Sequence, residues 1–313
     1  MKVRIGLGLT GLPFADARGF WRFVDLCEAT DVDSLWQSDR LISSQPQLEV
    51  MSTMAALAGH TARLKFGMSV TVVTFRDPLV LAKECATIDY LSGGRLLPAF
   101  GTGPEIAPEW KATGRSPAGR GAQVDEALTL MARLWSEERV TFHGKHYQYT
   151  DARIAPRPVQ QPLPLWLGGS SPAAIRRTAR VGTGWLGGIQ SPASVATVVA
   201  AIRQAAVDAG RPIDPDHYGA SFAFRFGSWD EPLVQAGGAL LARLAPGQEA
   251  RQLVAVGDAR AILDRVAEYC AAGASKFVLR PIAAGEADVV EQTRRLVAEV
   301  LPVAHAPGFA SAA

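Results

Sequence analysis

The chain has 313 residues, enough for one large α/β domain or two smaller ones. A hydrophobic content of 48% and a charged content of 20% predict a packed core and argue against long disordered segments. The formal net charge is +2, from 32 basic and 30 acidic residues, and gives no general indication of binding to nucleic acid or to anionic membranes.

Two further features bear on where the protein resides. No apolar stretch approaches the roughly 20 residues of a membrane helix, and the opening MKVRIGLGLTGLPF is typical of a first strand rather than of a signal peptide. Cys27, Cys85 and Cys270 are far apart in apolar helical contexts, which favours buried thiols over a disulfide or a metal site. We therefore expect a soluble, cytoplasmic protein.

Short apolar runs alternate with helical patterns over the first hundred residues. Apolar runs predict strands at 3–9, 32–37, 64–73 and 95–100, and helical spacing predicts helices at 18–29, 49–59 and 78–91. The stretch from Leu64 to Gly103 is therefore a strand, a crossover helix and a second strand. Such a βαβ unit implies a parallel sheet.

The alternation resumes in the second half of the chain. Strands are predicted at 165–167, 184–188, 218–226 and 276–280, and helices at 120–135, 172–180, 192–209, 235–246, 258–272 and 286–300. Eight strand-then-helix units result. Because sequential right-handed crossovers of that number close more naturally than they spread, we predict a TIM (β/α)8 barrel with insertions after strands 4 and 7.

Three segments interrupt the βα alternation, at 104–119, 140–163 and 228–255. The first is polar and rich in proline and glycine, and is predicted to lack regular structure. Within the second, VTFHGKHYQY predicts a β-hairpin turning at Gly144, followed by a proline-rich extended arm. Because the alternation resumes at once, we predict a single domain over 1–313, with a disordered tail at 304–313.

Two helices have clear start signals. Asp77 before Pro78, and Ser171 before Pro172, place a capping side chain ahead of a proline in the first helical turn. Arg76 precedes the first of these starts. We interpret Arg76 and Asp77 as helix-capping residues rather than substrate ligands.

Polar and glycine residues follow the strands at their carboxyl ends, where α/β proteins place their sites. These positions are Asp39 and Arg40, Ser69 to Thr74, Thr102 and Gly103, Gly168 to Ser171, Trp185 to Gly188, Arg225, and Arg280. Gly168-Gly169-Ser170-Ser171 opens a helix, and its backbone N–H groups suit a phosphate. The same glycines also suit an ordinary turn, so both interpretations stay open.

The sequence lacks the motifs of protein-borne catalysis. It contains no nucleophile elbow, Walker A loop, HExxH motif or histidine cluster with metal spacing. His143 and His146 flank Gly144, but no further ligand accompanies them, so no metal site is predicted. The missing motifs indicate that a cofactor carries the reaction while the protein binds and orients it.

Several segments together resemble one known superfamily. They are DSLWQSDRL (33–41), TFRDPLVLAKECATIDYLSGGRLLPAFGTG (74–103) and PRPVQQPLPLWLGGSSPAAIRRTARVGTGW (156–185), with support from 256–279. Over about residues 3 to 300 the chain resembles the bacterial luciferase-like superfamily, flavin- or deazaflavin-dependent enzymes on a TIM barrel. Within it, the chain is most similar to the branch that uses coenzyme F420.

The resemblance implies roles for the residues that match the family pattern. It places Asp39 near the deazaflavin, a non-proline cis peptide at Ser69-Val70 behind the ring, Thr102 and Gly103 along the ring, and Gly168, Gly169 and Ser170 at the cofactor phosphate. A homodimer is also expected from the resemblance.

The implied reaction is hydride transfer at C5 of the deazaflavin. Because a deazaflavin reacts poorly with oxygen, the chemistry would be dehydrogenation or reduction. The alternative is an FMN-dependent monooxygenase, in which a separate flavin reductase supplies reduced flavin that reacts with oxygen. A non-catalytic flavin-binding relative is a third possibility, since a fold alone does not determine function.

One position departs from the family pattern. Sugar-phosphate dehydrogenases of the F420 branch follow the strand-two aspartate with a catalytic histidine, where this chain has Arg40. A guanidinium stays protonated at neutral pH and cannot accept a substrate proton. Arg40 is thus a candidate clamp for an anionic substrate or the cofactor tail. Glu105 is the candidate general acid, or else a solvated loop carboxylate.

Four further residues are candidates for the substrate pocket. Arg225 and Arg280 end the last two predicted strands, where a barrel often holds a phosphate or carboxylate. Arg280 could equally form a surface ion pair. Trp36 and Trp185 are candidate pocket walls, although tryptophans at strand ends are often core residues.

Overall fold

The computed structural model describes residues 2–9 and 11–311 and has an α/β architecture. The strands are β1 (Arg4–Leu9), β2 (Ser34–Gln37), β3 (Lys65–Met68), β4 (Thr71–Val72), β5 (Leu96–Leu97), β6 (Ala99–Gly101), β7 (Val140–His143), β8 (Gln148–Ala152), β9 (Trp166–Leu167), β10 (Gly184–Ile189), β11 (Tyr218–Phe226), β12 (Val254–Gly257) and β13 (Lys276–Pro281). The helices are α1 (Ala17–Glu28), α2 (Val50–His60), α3 (Pro78–Ser92), α4 (Pro108–Ala112), α5 (Arg120–Ser136), α6 (Pro172–Val181), α7 (Pro192–Asp208), α8 (Pro232–Leu244), α9 (Ala250–Leu253), α10 (Ala259–Ala271), α11 (Gly285–Arg295) and α12 (Leu301–Ala304). Within this described part, no helix is both long and apolar enough to cross a membrane.

One 11-stranded sheet forms the centre of the molecule. Its hydrogen-bonded neighbours run in the order β4, β6, β9, β10, β11, β13, β1, β2, β3 and β5, and β12 pairs with β11. All of these pairings are parallel. Strands β4 and β6 lie at one end of this order, and β3 and β5 lie at the other. Because β4 directly follows β3 in sequence and β6 directly follows β5, the two ends of the sheet are adjacent. The sheet therefore curls round on itself.

Alternate residues of β13 show how the two faces of the sheet are used. Phe277 and Leu279 are fully buried in the large core between sheet and helices. Val278 instead joins a smaller cluster with Trp36 and Trp166, which come from strands far apart along the sheet. That smaller cluster fills the inside of the curl below the carboxyl ends of the strands.

Both predicted helix starts are confirmed. Asp77 Oδ1 accepts hydrogen bonds from the N–H groups of Leu79 (2.9 Å) and Val80 (3.1 Å) at the start of α3. Ser171 Oγ accepts one from Ala174 N at the start of α6. A proline occupies the first turn of each helix, where its missing N–H costs nothing.

Parts of the interrupting segments contain regular structure. The predicted hairpin is confirmed as β7 and β8, which pair antiparallel. The prediction of an irregular loop at 104–119 is wrong, because α4 forms there and buries Trp110 against Phe75 with ring centroids 4.6 Å apart. The segment 228–255 contains α8, α9 and the first half of β12. These elements pack around their own apolar cluster, which includes Val234 and Leu253.

The third predicted strand, 64–73, is broken in the structure. It becomes β3 and β4, followed by a 3₁₀ turn at Val73–Phe75. Ser69 and Val70 lie between the two halves, where Ser69 N donates to Gln37 O (2.8 Å). An apolar run predicts a strand but contains no signal for an interruption inside it.

The predicted disorder of 304–313 is wrong for residues 304–311. Ala304 ends α12 and is fully buried, and a 3₁₀ turn follows at Phe309–Ser311. His305 Nε2 accepts a hydrogen bond from Ile5 N of the first strand (3.1 Å). The chain end is thus tied to β1 by contacts that local composition does not reveal. Residues 312 and 313 lie outside the described residues.

Candidate functional site

The peptide bond between Ser69 and Val70 is cis, as the resemblance predicted. Val70 lies against Gly101, at the end of β6, and Gly168, directly after β9. A Cβ on Gly101 would lie 2.8 Å from Val70 Cγ2, and one on Gly168 would lie 3.3 Å from Val70 Cγ1. Three strand ends therefore meet closely around Val70 because two of them have no side chain there.

Arg280 crosses the inside of the curl from β13 to this bend. Its Nη2 donates a hydrogen bond to Ser69 Oγ (2.9 Å), and its Nη1 is buried without a partner among the described residues. Burial lowers the pKa of Arg280 to about 10, so the side chain stays cationic at neutral pH. Because the described residues offer it no carboxylate, Arg280 is a strong candidate for binding an anion.

Asp39 is held by its neighbours rather than left free. Both of its oxygens accept hydrogen bonds from Arg76 (2.6 and 3.0 Å), and Oδ2 also accepts from Val72 N (2.9 Å). Arg76 reaches Glu49 as well (2.7 Å), so its assignment to helix capping is wrong. Burial lowers the pKa of Arg76, but Asp39 and Glu49 raise it more, to a net value above the ordinary one. Asp39 thus fixes the position of β4.

A buried carboxylate from α4 lies beside Arg40. Glu109 Oε1 is 3.5 Å from Arg40 Nη1, the Glu109 side chain is 1% exposed, and its Oε2 has no partner among the described residues. Glu105, the residue expected to act as the acid, is exposed instead. The sequence reasoning missed Glu109, although PEWKA offered a signal: a proline, an acidic residue and a tryptophan suit the first turn of a buried helix.

The loop after β9 presents free backbone donors at the start of α6. Gly169 adopts a φ of +100°, which favours glycine. The N–H groups of Gly169 and the exposed Ser170 make no hydrogen bond to other described residues. Trp185 Nε1 donates to Gly169 O (2.8 Å) from a fully buried position. Trp185 therefore supports this loop and does not form the expected pocket wall.

Thr102 and Gly103 lie next to the same bend. Gly103 has a φ of +72°, and a Cβ on it would lie 2.9 Å from Val72 Cγ1 and 3.4 Å from Trp110. Thr102 is half-buried, and its Oγ1 is 3.4 Å from the carbonyl oxygen of Gly103. This pair closes the edge of the surface formed by Val70 and its glycines.

Two expected pocket residues have other roles. Trp36 is 2% exposed, lies inside the curl and donates to Ser34 Oγ (2.8 Å), so it is a core residue rather than a pocket wall. Arg225 donates to Glu231 (2.7 Å) and Asp288 (2.8 Å). Because two carboxylates already neutralise its charge, Arg225 is not the free cation that substrate binding would need. Within 2–9 and 11–311, no cluster of three or more metal-ligating side chains occurs.

Comparison with known proteins identifies the family. A family model described as luciferase-like monooxygenase matches residues 3–276. The chain belongs to the luciferase-like monooxygenase family. An F420-dependent glucose-6-phosphate dehydrogenase of Intrasporangium calvum is 38% identical over 141 residues, which cover 44% of this chain and 42% of that protein. The chain described here therefore spans less than half of the length of that curated relative.

Solved structures of other proteins share the fold over nearly the whole chain. An F420-dependent secondary alcohol dehydrogenase in complex with an F420-acetone adduct aligns with a TM-score of 0.82, at 19% identity, over 96% of this chain and 98% of its own. Monooxygenase RslO1 from Streptomyces bottropensis aligns with a TM-score of 0.81, at 20% identity, over 96% and 99%. At these identities the likeness shows the fold alone.

Proposed function

We propose that this member of the luciferase-like family is an oxidoreductase that transfers a hydride between coenzyme F420 and a small organic substrate. The relative from Intrasporangium calvum, named as F420-dependent, supports the choice of cofactor. The family match supports a cofactor-borne redox reaction on this fold.

The surface around Val70 is the observation that carries the proposal. Gly101 and Gly168, which have no side chains, pack against Val70, and Gly103 packs against the neighbouring Val72. Arg280 donates to Ser69 at this bend, and its Nη1 has no partner among the described residues. A flat ring system with a polar edge fits such a surface, because side chains at the glycine positions would push Val70 out of place.

The residues that would hold the cofactor lie on both sides of this surface. Gly169 and Ser170 would bind its phosphate through their free N–H groups at the start of α6, with Gly168 allowing the close approach. Thr102 and Gly103 would line the ring, and Asp39 would act by holding β4. When bound, F420 supplies the carbon that accepts or donates the hydride.

Glu109 is the residue to which we assign the transfer of the substrate proton, because it is buried and one of its oxygens has no partner among the described residues. Its Oε2, which has no partner among the described residues, would accept the proton of a substrate hydroxyl, while Arg40 Nη1, 3.5 Å from Oε1, offsets the buried charge. In the oxidative direction Glu109 would take the proton of the substrate hydroxyl, while bound F420 would supply the chemistry that accepts the hydride, so that an alcohol would become a carbonyl product. Arg40 acts as a positioning residue because it cannot take the proton itself.

Two structural proposals accompany the function. We infer that the curled sheet is a single-domain (β/α)8 barrel with insertions after its fourth and seventh strands, because β3 with β4, and β5 with β6, each serve as one barrel strand. We also infer a homodimer from the family resemblance. Consistent with a covered surface, α3 leaves Val80, Tyr90 and Leu91 more than half exposed.

A second candidate is an FMN-dependent monooxygenase supplied with reduced flavin by a separate reductase. The description of the matching family model favours it. A non-catalytic flavin-binding relative is the third candidate. The buried, unpartnered Glu109 Oε2 argues against it, since such a group costs stability without a functional return.

Turnover assays separate these candidates. We expect the purified protein to reduce F420 in the presence of an oxidisable substrate, with no oxygen uptake when reduced FMN is supplied instead. Substrate-dependent oxygen uptake with reduced FMN, and no reaction with F420, would establish the monooxygenase instead. Binding of a cofactor without turnover over a broad panel of alcohols, imines and enones would favour the non-catalytic relative.

A further inference from the structure

The side chain of Asp39 is almost entirely enclosed by protein. It is 1% exposed, its Oδ1 accepts a hydrogen bond from Arg76, and its Oδ2 accepts one from Arg76 and one from Val72 N. The family resemblance implied that this aspartate lies near the deazaflavin. Because its oxygens face protein donors instead, Asp39 would affect a bound cofactor through the residues that it holds.

Asp39 pins a short turn of the chain at both ends. Val72 directly precedes the 3₁₀ turn at Val73–Phe75, and its N–H donates to Asp39 Oδ2 (2.9 Å). Arg76 directly follows the same turn and reaches both oxygens of that carboxylate (2.6 and 3.0 Å). A guanidinium that binds both oxygens of a carboxylate fixes its orientation as well as its distance. One ion pair therefore sets the path of the chain as it leaves β4.

The position of Val72 bears directly on the glycines of the proposed cofactor site. Val72 pairs with Gly101 across β4 and β6. A Cβ on Gly103 would lie 2.9 Å from Val72 Cγ1, and one on Gly101 would lie 2.8 Å from Val70 Cγ2. Because protein interiors are close-packed, a displacement of Val72 would be passed on to both glycines.

Glu49 anchors the other side of the Arg76 guanidinium. Arg76 Nη2 donates to Glu49 Oε1 (2.7 Å), and Glu49 Oε2 accepts from Ser52 N (2.7 Å) at the start of α2. The guanidinium therefore joins α2, the loop after β2 and the end of β4. A lysine would keep the charge, but a single ammonium lacks the fork that meets Asp39 and Glu49 at once.

We propose that Arg76 is a positioning residue for the cofactor, and that Arg76 and Asp39 act as one unit without touching it. The pair holds β4 so that Val70, Gly101 and Gly103 keep the arrangement that the ring would need. The inference rests on the proposed function for the identity of the cofactor, whereas the contacts that carry it are present in the protein alone.

Amide hydrogen exchange on the cofactor-free protein tests the hold on β4. In R76K, Asp39 loses part of its support and holds the N–H of Val72 less firmly, so exchange at that amide should become about tenfold faster. Parent-like exchange at Val72 in R76K would overturn the proposal.

The matched control is R225K. Arg225 is similarly enclosed, with its side chain 14% exposed against 12% for Arg76, and it also joins two carboxylates. It lies on β11, which three strands separate from β4 in the order of the sheet. R225K should leave exchange at Val72 unchanged. Equal acceleration in R225K would show that any broken ion pair loosens β4, and would refute the specific role of Arg76.

Titrations with F420 show whether Arg76 acts through Asp39. R76K should weaken F420 binding by about tenfold, and D39N should weaken it by a similar factor, because each leaves the same turn unpinned. In the double variant the two effects should not multiply, since both remove one unit. R225K should bind F420 as the parent does, even if its thermal stability falls as far as that of R76K. Independent effects of R76K and D39N would refute the unit.

The two readouts keep this proposal distinguishable from the proposed function. Faster exchange in R76K, together with no F420 binding by the parent, would uphold the hold of Arg76 on β4 and refute the proposed cofactor. Tight F420 binding by the parent and by R76K alike would refute the positioning role and leave the proposed function intact.

Discussion

Glu105 and Glu109 are four residues apart, yet the fold gives them opposite surroundings. Glu105 is exposed, whereas Glu109 is buried beside Arg40 with one oxygen free. If Glu109 moves the proton, E109Q should lower kcat by about 10²- to 10⁴-fold and leave the F420 dissociation constant unchanged. The matched variant E105Q should keep the parent rate. Steady-state kinetics in which E105Q loses activity and E109Q does not would reverse this assignment.

The positive charge of Arg280 can be removed by substitution or by raising the pH, and both changes test its role. R280A should raise KM for an anionic substrate by about tenfold or more, and S69A, which removes only the partner of Nη2, should have the smaller effect. Because burial lowers the pKa of Arg280 to about 10, the cation is present below that pH and lost above it. KM for the anion should therefore rise as the pH approaches about 10, while KM for a neutral alcohol stays flat. Equal pH profiles would show that Arg280 does not bind the anion.

Positions of single residues were the hardest to predict. Arg280 and Ser69 are 211 residues apart in sequence, and Arg225 and Asp288 are 63 apart, so no local pattern relates either pair. The strand-end rule proposed both Arg280 and Arg225 as pocket residues and could not distinguish Arg280 from Arg225, whose charge two acids neutralise. The difference between a free and a paired arginine exists only in the folded chain.

The bend between β3 and β4 is the structural element on which the proposed cofactor site depends. A methyl group on Gly101 would lie 2.8 Å from Val70, a branched side chain that cannot move aside cheaply. G101A should therefore weaken F420 binding by about tenfold and cost about 1–3 kcal/mol of stability. The control is G59A, an exposed helical position with open space around its Cβ, which should leave both unchanged or raise stability.

Fluorescence titrations and thermal melts would measure both effects. Parent-like F420 binding in G101A would remove Val70 and its glycines from the cofactor site.

Elements of ordinary length were well predicted, and short or interrupted ones were not. The 15-residue helix α3 and the hairpin of β7 and β8 follow from periodicity and turn residues. Helix α4 has five residues, too few to show a helical period, and it supplies Glu109. The most informative catalytic candidate was thus missed because its element was too short to detect.

At the scale of the whole molecule, the segment that follows α12 is bound to β1, near the amino end of that strand. The proposed cofactor site lies at the carboxyl ends of the strands. His305 accepts a hydrogen bond from Ile5 N, and burial lowers its pKa below the ordinary 6.5. The unfolded chain therefore binds a proton at His305 near pH 6.5 while the folded chain does not, so stability falls as the pH drops below that value. H305Q should flatten this loss between about pH 6.5 and 5.

The exposed hairpin residue His143 provides the control for this test, since H143Q should keep the parent slope. Thermal melts over that pH range measure the slope for each variant. A parent-like slope in H305Q would assign the pH dependence to other groups. The buried carboxyl of Asp33 titrates in a lower range, because Lys276 and Lys65 outweigh its burial and lower its pKa.

The central claim is that the surface around Val70 binds a deazaflavin. Titration of the purified protein with F420 and, separately, with FMN tests it most directly, with tryptophan fluorescence as the signal. The account predicts tight, saturable binding of F420 and weak binding of FMN. Tight FMN binding with weak F420 binding would contradict it and move the protein to the monooxygenases of its family.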